Sequence, residues 1–139
     1  MSMKSILLPT DFSDISRNTA FQVLRLFKQS SELISLVFVS SYLLPIVDSQ
    51  NAVVVNDLVK AQVLENLENE KRFFLKFSKE MKLSIEVKAR FGSIENIVPE
   101  LLKSEKFDLI AVGRAHSGDL LSISRSLKEK GLSSPLLIV

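Results

Sequence analysis

Cysteine is absent from the chain, which excludes disulfides, thiolate metal sites and cysteine nucleophiles and is compatible with a reducing compartment. Histidine occurs once, as His116, so no histidine metal cluster can form and no second imidazole exists for a serine triad. Charge of one sign is lacking as well: 18 Lys and Arg stand against 16 Asp and Glu, a net charge of +2. No basic block interleaves with aromatics, so nucleic acid is not an expected partner despite the sequence pI of 8.9. Long hydrophobic runs are missing too. No stretch approaches the roughly 18 apolar residues of a membrane span. The opening MSMKSILLPTDF offers only a short apolar run before Pro9 and Asp11, too short for the h-region of a signal peptide. The expectation is a cytoplasmic protein without a membrane partner.

What is present is globular. Apolar residues make up 46% and charged residues 24% of 139 residues, enough for one domain, 1–139, that buries a core without metal or disulfide help. Ser5 to Leu8 read as a buried strand stopped by Pro9-Thr10-Asp11. Ser13 can cap the next helix, whose Ala20, Val23, Leu24 and Phe27 recur at helical spacing. Leu33 to Val39 is rich enough in β-branched and aromatic residues for a second strand, and SYLLPIVDSQNAVVVN reads as a long, poorly ordered connection.

From Asp57 to Met81 the period turns helical, with Val63, Leu67, Phe74, Phe77 and Met81 near one stripe and Glu68 four residues before Arg72. Leu83 to Ala89 alternates like a strand near an edge, and Gly92 ends it. Ser93 can cap a third helix, which Pro99 should kink or delay. Phe107 to Val112 is apolar enough for a central strand. A short helix over 124–130, Gly131 as its stop and the strand Leu136 to Val139 complete the pattern. Alternating strands and helices predict a doubly wound α/β domain with a parallel sheet covered on both faces. Ligands in such sheets sit beyond the carboxyl ends of the strands where strand order reverses, here the loops PTDFS and GRAHSG.

Several familiar chemistries fail on these loops. A Walker loop needs a Lys-Ser/Thr pair after its last glycine, whereas Gly118 precedes Asp119 and Leu120. No G-x-G-x-x-G opens the first helix, and the third strand ends at Arg90-Phe91-Gly92 rather than at a phosphoacceptor aspartate. A catalytic His116 would need Asp11 or Asp119 to orient it; a loop residue without catalysis is the simpler reading. Asp11 fits either a turn and helix cap or an adenine contact. Gly113 to Ser124 fits either a loop whose amides and serines meet a phosphate, or a tight turn in which Gly113 and Gly118 supply positive φ.

ILLPTDFS, the EL...VFV second strand, RFGS and DLIAVGRAHSG together resemble the universal stress protein family, in register over essentially the whole chain. The resemblance implies a five-stranded parallel sheet of order 3-2-1-4-5 with helices on both faces (adenine nucleotide alpha hydrolase-like). It also implies a homodimer paired through the last strand and, in one branch, ATP between strands one and four. That branch carries G-x2-G-x9-G-S/T. Gly113 matches the first glycine, the second falls on His116, and the third falls near Leu121-Ser122 or Ser126, with 113–135 a few residues shorter than usual. Pro9, Thr10, Asp11 and Val39 match the adenine-side positions. The expectation is a non-catalytic stress-response domain that acts through dimerisation and an unidentified protein partner, with a degenerate, weakly binding ATP cleft. The alternative is a module that still holds an adenine nucleotide, with Arg114 or Ser122 replacing the lost amides; a hydrolase or transferase ranks last. Leu136, Leu137, Ile138 and Val139 form an apolar edge that pairing with a second copy would cover. Their lack of a polar tail also reads as one half of a tandem protein or as a truncated chain.

Overall fold

The computed structural model describes residues 3–29, 32–43, 52–113, 117–131 and 136–138, with backbone alone at 52–54, 117–120 and 136–138. Along the chain come β1 (Met3–Pro9), α1 (Asp14–Phe27), β2 (Leu33–Tyr42), α2 (Ala52–Phe77), β3 (Leu83–Phe91), α3 (Ile94–Ser104), β4 (Leu109–Val112), α4 (Ser117–Glu129) and β5 (Leu136–Ile138). All pairings are parallel. The sheet runs β3-β2-β1-β4, with the three-residue β5 beside β4. β1 is therefore central and β3 an edge, as its alternating sequence predicts.

The period of two in β1 divides the core. Ile6 and Leu8 face one side with Phe38 of β2, against Ala20, Val23 and Leu24 of α1 and Leu67 and Phe74 of α2. Leu7, Val37 and Val39 face the other, against Ile97, Val98 and Leu101 of α3 and Ile123 and Leu127 of α4. At the start of β1 the centre of the sheet is clasped reciprocally. Ser5 N–H donates to the Asp108 carboxylate at 2.7 Å, and Asp108 N–H donates to the Ser5 carbonyl at 2.8 Å.

Ser13 caps α1 as its sequence suggests: its backbone is extended and its hydroxyl accepts from Ser16 N–H at 3.2 Å. Arg17 of α1 forms a salt bridge with the buried Glu70 of α2 and lies over the Phe73 ring, 4.6 Å from its centre. Gly131 ends α4's segment at φ +67°, a left-handed backbone that favours glycine.

Other expectations are corrected. α2 starts at Ala52, five residues before Asp57, because Val53-Val54-Val55 depress helix propensity in the sequence yet are accommodated in the fold. It ends at Phe77 rather than Met81, where Met81 N–H turns back onto the Ser78 carbonyl at 3.1 Å. Phe77 is largely exposed rather than core. Arg72 donates to Asn69 at 2.6 Å instead of meeting Glu68. Ser93 stands at the start of α3 without a side-chain cap, its hydroxyl accepting from the Asn96 amide at 3.0 Å. α3 runs unbroken from Ile94 through Pro99, which is buried. Much of the expected long connection, 44–51, lies outside the described residues, but its two ends belong to β2 and α2.

Candidate functional site

The site opens where the central ladder stops. β1 and β4 pair only through Ile6↔Leu109 and Leu7↔Ile110, whereas β1 and β2 stay paired as far as Pro9↔Val39. Pro9 has no N–H to extend a ladder. Beyond that point lies a cleft of about 550 Å³, within the usual range for a small-molecule pocket. It is bordered by Pro9-Thr10-Asp11 after β1, Ala111-Val112-Gly113 at the end of β4, and the start of α3. This is the reversal of strand order at which the sequence places a ligand.

The turn after β1 is held by its own side chains. Phe12 adopts φ +66°, a left-handed backbone that is strained for an aromatic residue. Its N–H donates to the Thr10 hydroxyl at 3.1 Å, and its ring packs against the α1–α2 core. This bend brings Asp11 against the first turn of α1. There one carboxylate oxygen accepts from Ser13 N–H at 2.9 Å and from the Ser16 hydroxyl at 2.7 Å. Of the two roles the sequence left open, Asp11 takes that of turn and helix brace, and it also borders the cleft.

Gly113 also borders the cleft, but not for the expected reason. Its φ is not positive; a Cβ there would stand 2.5 Å from the Thr19 hydroxyl and 3.3 Å from an Ile15 methyl. The glycine is required because α1 passes close by, with Thr19 fixed by a 2.9 Å hydrogen bond to the Ile15 carbonyl. Gly118 is likewise not in a loop, since its backbone belongs to the first turn of α4, which begins at Ser117 rather than near Ser124. The reading of 113–124 as a continuous loop is corrected accordingly.

Of the other candidates, Pro9, Thr10 and Ser122 border the cleft. Val39 does not: its side chain is fully buried in the core shared with α3 and α4, and only its carbonyl meets the turn, accepting from Thr10 N–H at 2.9 Å. Arg114 and His116 lie outside the described residues. Sequence reasoning missed Ser41 and Leu43 at the end of β2, and Ser93, Ile94 and Glu95 at the start of α3. The signal for the last three was available, because RFGS ends a strand on the same side of the sheet as PTDFS. The described residues bordering the cleft include two carboxylates, Asp11 and Glu95, and no Lys or Arg. No metal-holding group of three acidic or histidine residues occurs among the described residues. None of the described helices is long and apolar enough to cross a membrane.

The model of the universal stress protein family matches residues 3–126. The chain belongs to this family. No curated protein sequence matches it. Among solved structures, the universal stress protein UspA from Lactobacillus plantarum is similar at TM-score 0.71 and 13% identity, over 98% of this chain and 97% of that one. A universal stress protein family protein from Arabidopsis thaliana with AMP bound is similar at TM-score 0.65 and 14% identity, over 98% and 90%. A universal stress protein in complex with cAMP follows at 0.56 and 19%, over 100% and 98%. At these identities the likeness establishes the universal stress protein fold.

Proposed function

We propose that this universal stress protein domain is a non-catalytic cytoplasmic module, acting through dimerisation and contact with a protein partner, whose nucleotide cleft has lost its triphosphate half. The observation that carries this reading is the start of α4 at Ser117. Only Arg114, Ala115 and His116 separate it from Gly113, where the ATP-binding pattern has a long glycine-punctuated loop. The residues that would fill the nine-residue spacer are wound into α4 from Ser117, and beyond its first turn their amides bond within the helix rather than to phosphate. The absence of catalysis is supported by Asp11, whose carboxylate braces α1, and by a described lining without a phosphate-binding lysine.

Losing several amide hydrogen bonds worth about 1 kcal/mol each should leave ATP with a Kd above roughly 100 μM. Isothermal calorimetry on the purified chain tests this. Binding at micromolar ATP, or ATP carried through purification, overturns it in favour of the second reading, an adenine-nucleotide-binding module. That second reading is favoured by the persistence of the cleft at the place in the sheet where open α/β folds take ligands, in a fold whose relatives include AMP-bound and cAMP-bound proteins. The finer placement among adenine nucleotide alpha hydrolase-like folds accompanies either reading.

A further inference from the structure

Away from the cleft, α2 turns more aromatic surface outward than its core requires. Leu67 and Phe74 serve the core from this helix, yet Phe73 is 39% and Phe77 64% exposed. These two rings stand about one helical turn apart and stack with centres 6.4 Å apart and planes 13° from parallel. Phe21 of α1 meets both edge-on, at 5.9 Å and 4.8 Å, and Arg17 lies over Phe73. The result is an aromatic strip along the seam between α1 and α2, none of whose residues borders the cleft. A lone exposed Phe requires no explanation, but contiguous rings held edge-to-face are what interfaces use as anchors.

The charge beside the strip is mainly of one sign. Four and seven residues after Phe21, Arg25 and Lys28 fall on its side of α1, and both are exposed. On α2, Lys76 is exposed next to Phe77 in the last turn. None of these cations enters an ion pair among the described residues. Glu70 is spent on Arg17, Asp14 lies in the first turn of α1, and Glu80, past the end of α2, is the exposed carboxylate beside Phe77. A second copy laid on this face would bring like charges together. The rings lean on one another instead of projecting, which suits apolar side chains laid across them better than insertion into lipid. We propose that the seam of α1 and α2 is a docking surface for a protein partner, and that it takes an amphipathic helix whose apolar stripe is flanked by Asp and Glu. The proposal rests on the reading that this domain acts through a protein partner and gives that partner its chemistry.

The probe is a synthetic helix of about 15 residues with Leu at i, i+3, i+4 and i+7 and Glu on both flanks, titrated into the isotope-labelled full chain and followed by NMR. A second peptide carries Lys in place of Glu, and a third has its Leu residues scattered. The acidic peptide should shift amide signals around Phe21, Phe73 and Phe77 and leave those around the cleft in place. It should bind at least about tenfold more tightly than either control, and added salt should erode its advantage over the basic one. Arg25→Glu/Lys76→Glu should abolish the preference for the acidic peptide, and Phe77→Ser should weaken its binding at least about fivefold, with circular dichroism confirming that both variants fold. Equal binding of the acidic and basic peptides, or acidic-peptide affinity that survives both variants, would overturn the docking surface. So would binding to phosphatidylglycerol vesicles, lost in Phe77→Ser, without binding of the acidic peptide. No peptide binding alongside ATP weaker than about 100 μM would overturn this surface and leave the reading of the cleft standing. Micromolar ATP alongside selective binding of the acidic peptide would overturn that reading and leave the surface standing.

Discussion

Gly113 stands where a methyl group has no room, and the obstructing atom belongs to a helix made near the beginning of the chain. Gly113→Ala should therefore lower stability by about 1–3 kcal/mol, as overpacking does elsewhere, although its backbone would suit alanine. The thermal melting temperature reads this directly. Gly113→Ala/Thr19→Ala, which removes the hydroxyl 2.5 Å from the new Cβ, should recover part of the loss. A single variant as stable as wild type would show that Thr19 can turn away at little cost. The sequence marks Gly113 as special but not why, because the reason is a contact between distant segments. Phe12 is the converse. Its left-handed backbone carries no glycine or asparagine signal, and the bend becomes visible only with Thr10 and Asp11 holding either side of it.

Between elements, Lys88 links the sheet edge to the end of a helix. It rises from β3, is mostly buried, and meets Glu86 at 2.9 Å and Glu105, just past α3, at 3.4 Å. The hydrogen bond to Glu86 raises the lysine above its ordinary value of 10.5, against the opposing effect of burial, with the nearby Glu86 and Glu105 charges adding to the rise. A raised folded-state value means that the ammonium contributes its full stabilisation below 10.5 and loses it as the pH climbs through the higher folded value. Lys88→Met should cost about 1 kcal/mol at neutral pH, a modest figure because both carboxylates are partly exposed. In paired melts across pH, the gap between wild type and variant should close only above 10.5; a gap that closes below pH 9 would contradict the assignment. At this scale the order and type of elements were legible from periodicity, as were the starts of α1 and α3 after Ser13 and Ser93, whereas the starts of α2 and α4 were not. α2 and α4 both begin earlier than their apolar stripes suggest, since their first residues carry β-branched, glycine or polar side chains that tertiary context overrides. The misplaced start of α4 is also why half the candidate site was misread as loop.

For the whole molecule, the covered parallel sheet and the loops beside the cleft followed from the alternation of strands and helices, and the strand order from the resemblance to the universal stress protein family, whereas the chemistry of the cleft did not, because α3's contribution arrives from a different part of the chain. β5 is short, apolar and at the sheet edge, bonded on one side to β4 through Ile110↔Leu136, Ala111↔Leu137 and Val112↔Ile138. We infer that its other side meets a second copy antiparallel across a two-fold axis, which would cover an aggregation-prone edge. Light scattering should give a dimer for the wild type and a monomer for Ile138→Lys. A monomeric wild type, or a variant that dimerises equally well, would refute the pairing.

The clasp between Ser5 and Asp108 has a consequence for biosynthesis. Within the domain β1 leaves the ribosome before the other described strands, yet Asp108, which clasps Ser5 on its β4 side, is translated 103 residues later. Until then Ile6, Leu7 and Leu8, which end fully buried, lie along an open edge that any passing strand could pair with. A nascent domain of this topology keeps its middle exposed until its fourth strand is made, and chaperone capture would matter most before Asp108 emerges from the ribosomal exit tunnel.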